Sequence, residues 1–409
     1  MRRTQTAIVT LVLSCALGLA GCGQGQASGG SPSQSSSGPT GGVASQDASP
    51  MATASDPTAG IPSPGSESFR WREGGRFAED GAIQLVYDAS AWNGGFIAIG
   101  HAWLEEFVGG NGEPRLWLSE DGRSWTAVRP DFGVPGVELR GILPLAAGGV
   151  VVVGTIPSAG VEAEARAWRS SDGRTFTAVD LPSDIAGPDV EATSGPIGHL
   201  LSTGRELWYS ADTESWQLVH TAPKGIELRR PVAGDEGFVA PAVRISGDSP
   251  HVMYASGDGR TWYEGTTASL MPGAAPWRGD WLGWGYTDEP ATISVLRSSN
   301  GLDWSVALDV NELTPPDGPK AGLGMESGIT EVSLAGQGGI VAMTLGWNHC
   351  CATPPNVVDV FVSVDAETWM PANLPRPTYV SSVATDGQVV VLAGHYDRGR
   401  GVIFWMAER

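Results

Sequence analysis

The stretch Ser119-Glu120-Asp121-Gly122-Arg123-Ser124-Trp125 returns, respelled, five more times along the chain. The shared pattern is Ser-x-(Asp/Asn)-x-x-x-(Trp/Phe). Its other copies are Ser170/Asp172/Phe176, Ser210/Asp212/Trp216, Ser256/Asp258/Trp262, Ser298/Asn300/Trp304 and Ser363/Asp365/Trp369. The acidic or amide positions stand 40 to 65 residues apart, a period that marks blades or solenoid units. Four copies place Gly directly after that position, at Gly122, Gly173, Gly259 and Gly301. A hydroxyl and a carboxylate can both accept turn amides, and Gly admits a left-handed backbone, so the pattern reads as a tight turn.

The surroundings of each turn repeat as well. A Gly-led apolar run comes first, as in Gly94-Gly95-Phe96-Ile97-Ala98-Ile99-Gly100 or Gly148-Gly149-Val150-Val151-Val152-Val153-Gly154. A short strand then enters the turn, the aromatic opens another strand, and a fourth apolar stretch precedes the next run. Four short strands per 40 to 50 residues, without helical periodicity, predict an all-β chain: a seven-bladed β-propeller of four-stranded antiparallel blades. Six blades carry the turn. The C-terminal stretch supplies three further strands, and Ser68-Phe69-Arg70-Trp71 is expected to complete that blade, with Trp71 in the aromatic slot. Such an N- to C-terminal clasp removes the exposed sheet edges.

The repeated turn resembles the Asp-box, or BNR, repeat of the sialidase-like superfamily, in a form one residue tighter between the Asp and the aromatic. The resemblance spans nearly all of residues 67–409 and implies a propeller whose boxes lie opposite the ligand-binding face. It makes Asp121, Asp172, Asp212, Asp258, Asn300 and Asp365 structural turn residues. A metal site from these positions is disfavoured because each belongs to a different blade, and no metal or cofactor is expected. The superfamily's glycosidases use an Arg-Ile-Pro-like motif near the first strand, where this chain has Phe69-Arg70-Trp71-Arg72. The expected function is therefore a non-catalytic binding or scaffold module for a protein or glycan. A sialidase-related glycoside hydrolase is the alternative.

Two groups of residues are candidates for the ligand face. Inner-strand starts carry Glu138, Glu191, Glu227 and Glu331, and Arg140 and Arg229 follow two of them on the same strand face. They read either as a cation or sugar site or as local ion pairs. The second group is the loop Gly346 to Pro355, with Trp347, His349, Cys350 and Cys351, which the superfamily's strand order puts on the ligand face. A strained vicinal disulfide between Cys350 and Cys351 is expected in an exported chain, with two free thiols or a His349-assisted metal site as alternatives.

The N-terminal residues carry an address. Arg2 and Arg3 precede the apolar run Ala7 to Ala20, too short to span a bilayer comfortably. The run ends in Leu19-Ala20-Gly21-Cys22, which resembles the lipobox of bacterial lipoproteins and implies lipidation of Cys22. Residues 1–21 are thus expected to be a lipoprotein signal peptide. Residues 22–66 form a Gly/Ser/Pro-rich tether with no aromatic residue, too polar to offset chain entropy by burial. The expected location is the outer face of the cytoplasmic membrane. With 25 Lys plus Arg against 45 Asp plus Glu, the chain is a poor partner for nucleic acid, which is bound by clustered cations.

Overall fold

The computed structural model describes residues 69–408, apart from 80–81, 105–111, 157–162, 186–189, 245–250, 268–269, 289–290, 314–326, 350–356, 375–377 and 397–398. The signal, the tether and Cys22 thus lie outside the described residues.

Strand formation follows composition locally. Val150–Ile156 is almost wholly β-branched and buried along its length, as expected for a strand covered on both faces. Seven antiparallel sheets result, each running from an inner strand at the axis to an outer one at the rim. Blade I spans residues 82–128, blade II 138–179, blade III 190–221, blade IV 226–267, blade V 270–309 and blade VI 327–371. Blade VII combines three strands within 378–408 with Arg72–Phe77, which pairs antiparallel with the last strand. The chain is a seven-bladed β-propeller closed by a strand from its beginning.

One boundary differs from the sequence reading. The closing strand is Arg72–Phe77, not Ser68 to Trp71. Phe69 and Trp71 precede it and pack against the buried cluster between blades VI and VII. Phe77 instead meets Trp117 and Phe404 at ring-centroid distances of 6.4 and 6.2 Å. The alternation of Arg72-Glu73-Gly74-Gly75-Arg76-Phe77 is weak, because two glycines occupy its centre, and the ladder shifts register there.

The apolar core is divided among the seams. Seven buried clusters each draw side chains from two neighbouring blades, blades VII and I included. The axis is left to the inner strands, where polar side chains collect.

The repeated turn is a built hydrogen-bond device. The serine hydroxyl donates to the Asp or Asn Oδ1 in all six copies, at 2.9–3.4 Å. That Oδ1 accepts the two following turn amides in every copy, for example Arg123 and Ser124 at 2.8 and 3.0 Å. In five copies the serine oxygen also accepts the amide three residues on, at 2.8–2.9 Å. The amides hold Asp172 and Asp258 down to about pKa 2. Thr213 and Ala366 adopt the glycine's left-handed conformation, at φ 65° and 60°.

Candidate functional site

The channel owes its side chains to a repeated irregularity. In blades I, II, VI and VII the inner strand has an extra residue near its start, at Tyr87, Arg140, Thr330 and Ser381. Blade IV breaks outright between Leu228 and Val232, and blade V slips between Leu270 and Gly273. Only blade III keeps an even ladder over Val190–Gly195 among these described strands. The second strand meets each bulge with a glycine: a Cβ on Gly100, Gly154 or Gly394 would lie 1.9, 2.5 or 2.0 Å from a carbonyl oxygen of the inner strand. A bulge re-aims the side chains around it, and here it does so toward the axis.

Asp88 follows the first bulge. Its Oδ1 accepts the Ala89 amide at 3.0 Å and the Ser382 hydroxyl at 3.3 Å, and its Oδ2 accepts the Ile142 amide at 3.4 Å. Blades VII, I and II are thereby tied to one carboxylate. From blade IV, Arg230 crosses the channel and places Nη2 2.5 Å from Asp88 Oδ2. Its Nη1 donates to the Tyr87 carbonyl at 3.4 Å. Burial is the largest influence on the guanidinium and opposes its charge, yet Asp88 and Glu191 together hold its pKa above the ordinary value.

Tyr87, Glu138, Arg140 and Glu191 gather beside this bridge. Glu138 Oε2 lies 2.7 Å from Arg140 Nη2, each side chain about one quarter exposed (25% and 24%), so the pair is only partly hydrated. Burial drives the Tyr87 phenol well above its usual pKa; Arg140 opposes this, while Glu138 and Glu191 add to it. His101, beside Gly100, reaches into blade II, where its Nε2 accepts the Leu139 amide at 2.7 Å. Burial, helped by the charge of Arg140, pulls His101 down to about pKa 3, so it is neutral at neutral pH. The Glu227–Arg229 pair, 3.3 Å apart, is more exposed.

Of the sequence candidates, Glu138, Arg140 and Glu191 therefore share one electrostatic environment, and Glu227 with Arg229 forms a separate pair. Glu331 follows the bulge in the inner strand of blade VI, Ser327–Gln337, and its side chain lies outside the described residues. Trp347 and His349 belong to the strand Ile340–His349 instead of the expected loop, paired with Ile329 and Ser327. The ladder continues past the bulge at Thr330 through Gly328, paired with Asn348, to Ser327. Their side chains, with Cys350 and Cys351, lie outside the described residues. Among the described residues no group of three or more His, Cys, Asp or Glu could hold a metal ion.

Sequence reasoning missed Tyr87, Asp88, His101 and Arg230. One signal was present: Gly100 and Gly154 each stand five residues after the glycine that leads their strand, Gly95 and Gly149. Repeated glycine inside a strand marks a bulge or a close backbone approach.

No protein-family model matches the chain, and no curated protein is detectably similar in sequence. Solved structures do resemble it. The YCF48 protein from Cyanidioschyzon merolae aligns with a TM-score of 0.51 at 11% identity, covering 83% of this chain and 98% of that one. The GH74 xyloglucanase from Xanthomonas campestris aligns at 0.50 and 15%, covering 83% and 56%. A Trypanosoma rangeli sialidase aligns at 0.42 and 11%, covering 80% and 54%. At such identities the likeness concerns the fold alone.

Proposed function

We propose that this propeller is exported, anchored by lipid on Cys22 through the 22–66 tether, and displayed on the outer face of the cytoplasmic membrane. There it binds a protein or glycan at the channel mouth without turning it over. The observation supporting the non-catalytic reading is the internal pairing of the mouth. Asp88 is paired with Arg230, Glu138 with Arg140 and Glu227 with Arg229. Hydrolysis of a glycoside by paired carboxyls needs one kept protonated and another ionised and poised toward substrate. Each of these carboxylates is already engaged by an arginine, and the His101 imidazole already accepts a backbone amide. Such a surface is suited to matching polar groups on a partner.

The hydrolase alternative is favoured by one specific placement, the Tyr87 phenol within the fields of Glu138 and Glu191. Incubating the full chain with a panel of fluorogenic glycosides separates the two. No turnover is expected. Turnover abolished by Glu138→Gln or Tyr87→Phe would overturn the binding reading in favour of the hydrolase.

A further inference from the structure

The repeat sets a standard against which each blade can be compared. In every boxed blade, one residue of the second strand pairs with the box serine: Phe96, Val150, His199, Phe238, Trp281 and Val341. Five are apolar, and blade III alone has a histidine. The inner-strand partners of that row are Ala91, Pro144, Ser194, Ala233, Pro276 and Gly336. Blade III is again the exception. The two exceptions touch: Ser194 Oγ lies 2.7 Å from His199 Nδ1, with the Pro144 carbonyl 3.4 Å from the same hydroxyl.

A third departure faces them from blade II. The residue before the box serine is Leu118, Tyr209, Ala255 or Val362 in blades I, III, IV and VI, but Arg169 in blade II. Blade V also has an arginine there, Arg297, which is paired with Asp280 and lies over Trp277 within its own blade. Arg169 instead crosses the seam, donating from Nη2 to Thr213 Oγ1 at 3.1 Å and from Nη1 to Glu214 Oε1 at 3.0 Å. Thr213 stands where four boxes have glycine, a place taken by Ala366 in blade VI. Two features found in no other boxed blade, Ser194 and His199, thus fall on one seam with two that recur only once elsewhere.

A cavity of about 850 Å³ opens beside Arg169 and His199, lined also by Leu145, Thr177, Asp212 and Glu214, while Ser194 faces the neighbouring axial cavity. Through Leu145, Ala146, His199 and Ala211 it adjoins the axial cavity of about 750 Å³, which reaches up to Asp88 and Arg230. Both volumes are in the range of small-molecule sites. A half-buried serine against a buried histidine is a poor substitute for the Ala–Phe pair of blade IV where packing alone is concerned, because polar atoms must be desolvated. Local rules broken together, without a packing gain, are the mark of a functional site.

The chemistry of the walls selects the ligand. Arg169 and Glu214 neutralise each other, and burial lowers the pKa of His199, leaving the imidazole uncharged at neutral pH. The Thr177 side chain stands among the apolar Leu145, Ala178 and Val179, while the Ser170 and Thr175 hydroxyls are engaged by Asp172 within the box. Asp212 adds one carboxylate, so the walls carry a single net negative charge, which disfavours an anionic ligand. Carboxylate and imidazole acceptors beside the arginine donor fit a neutral molecule with several hydroxyl groups.

We propose that the seam between blades II and III, on the box face, binds a small neutral polyhydroxylated ligand, a sugar or a polyol, through His199 and the Arg169–Glu214 pair, with Ser194 orienting the His199 ring. This site lies at the other end of the blades from the channel mouth and does not depend on the reading given above for that face.

The test is titration of the full-length chain, in detergent and with labelled histidine, with glucose, trehalose and myo-inositol, followed by calorimetry and by the His199 ring resonance. His199→Phe identifies that resonance by its loss. A saturable shift with at least one probe is expected; a response to the sugars alone or to inositol alone tells the two sources apart. Ser194→Ala with His199→Phe, which installs the pair of blade IV, should weaken binding about tenfold or more, as should Glu214→Gln, whose exposed position spares the fold. Two results would overturn the proposal. One is the absence of any His199 shift, whether or not heat of binding is detected elsewhere. The other is unchanged affinity in the folded Glu214→Gln protein.

Discussion

Trp125 of the first box lies face to face on Phe404 of the last strand, ring centroids 3.8 Å apart and planes 7° from parallel. Beside this stack the Arg123 guanidinium pairs with Glu408, and the Trp125 indole donates to the Gly122 carbonyl at 3.0 Å. The seam that joins the ends of the ring is therefore packed like the other six, with one aromatic contact closer than any of them provides among the described residues.

Deleting residues 69–77 removes the outer strand of blade VII, bares the edge of Gly401–Glu408 and takes Phe77 off Phe404. Aggregation or a large fall in melting temperature is expected. Deleting 30–55 should leave melting unchanged. Scanning calorimetry of both deletions checks this, and equal midpoints would contradict the clasp.

The boxes need an acceptor at the third position, and charge is secondary. Asn300 Oδ1 accepts Leu302 and Asp303 amides at 2.9 Å, as the aspartates do elsewhere. Asp172→Asn should accordingly shift stability by less than about 1 kcal/mol. Ser210→Ala, which strands the Asp212 and Thr213 amides at a fully buried serine, should destabilise by about 1–3 kcal/mol. Urea denaturation of the two variants distinguishes these outcomes.

Stability should fall on mild acidification. His101 and His395 are buried, and burial pulls them from an ordinary 6.5 to about 3 and about 4. Between those values and 6.5 the unfolded chain binds protons that the folded chain refuses, so stability drops as pH decreases through this window. Each histidine contributes a slope of up to about 1.4 kcal/mol per pH unit. Urea midpoints at pH 7 and pH 5 measure the drop, and His395→Leu should flatten it. A midpoint that rises on acidification would refute the assignment.

Removing one end of the cross-channel bridge is expected to be worse than removing both. Arg230→Met leaves Asp88 without its cation, and a loss of about 1–3 kcal/mol is expected, moderated because the arginine side chain is 38% exposed to the channel. Adding Asp88→Asn should recover part of it. A double-mutant cycle gives the coupling directly, and strictly additive effects would mean the bridge carries no interaction energy.

A Cys22→Ala change should abolish acylation and release the propeller from membranes, since stable attachment requires the acyl chains. Fractionation of cells expressing the variant reads this out. Retention of a processed, non-acylated chain would point to another anchor.

The architecture was legible because its signals are local and periodic. Ser119, Asp121 and Trp125 specify a turn within seven residues, and five more copies mark six blades, the seventh being left to the strands at the two ends of the chain. The channel was not legible, because a bulge at Tyr87 or Arg140 is a property of two strands in register. A single extra residue in an apolar run changes no composition. Arg230 was obscured for a related reason: it follows Arg229 in a strand that breaks, and its partner Asp88 is three blades away. The shift of the closing strand from Trp71 to Phe77 arose where Gly74 and Gly75 interrupt the alternation.

The clasp has a consequence for how the molecule comes into being. Arg72 pairs with Met406 and Phe77 with Val402, so the first strand made must wait for nearly the last residues of the chain. Blades I to VI contain their own strands and can form in order as they emerge, but the ring has no closed state until synthesis is complete. Loop closure over so long a separation makes this step slow and leaves two sheet edges open in the interval. A chain that stops before residue 401 therefore lacks the partner of its own beginning, and loses the same contact as one that starts after residue 77.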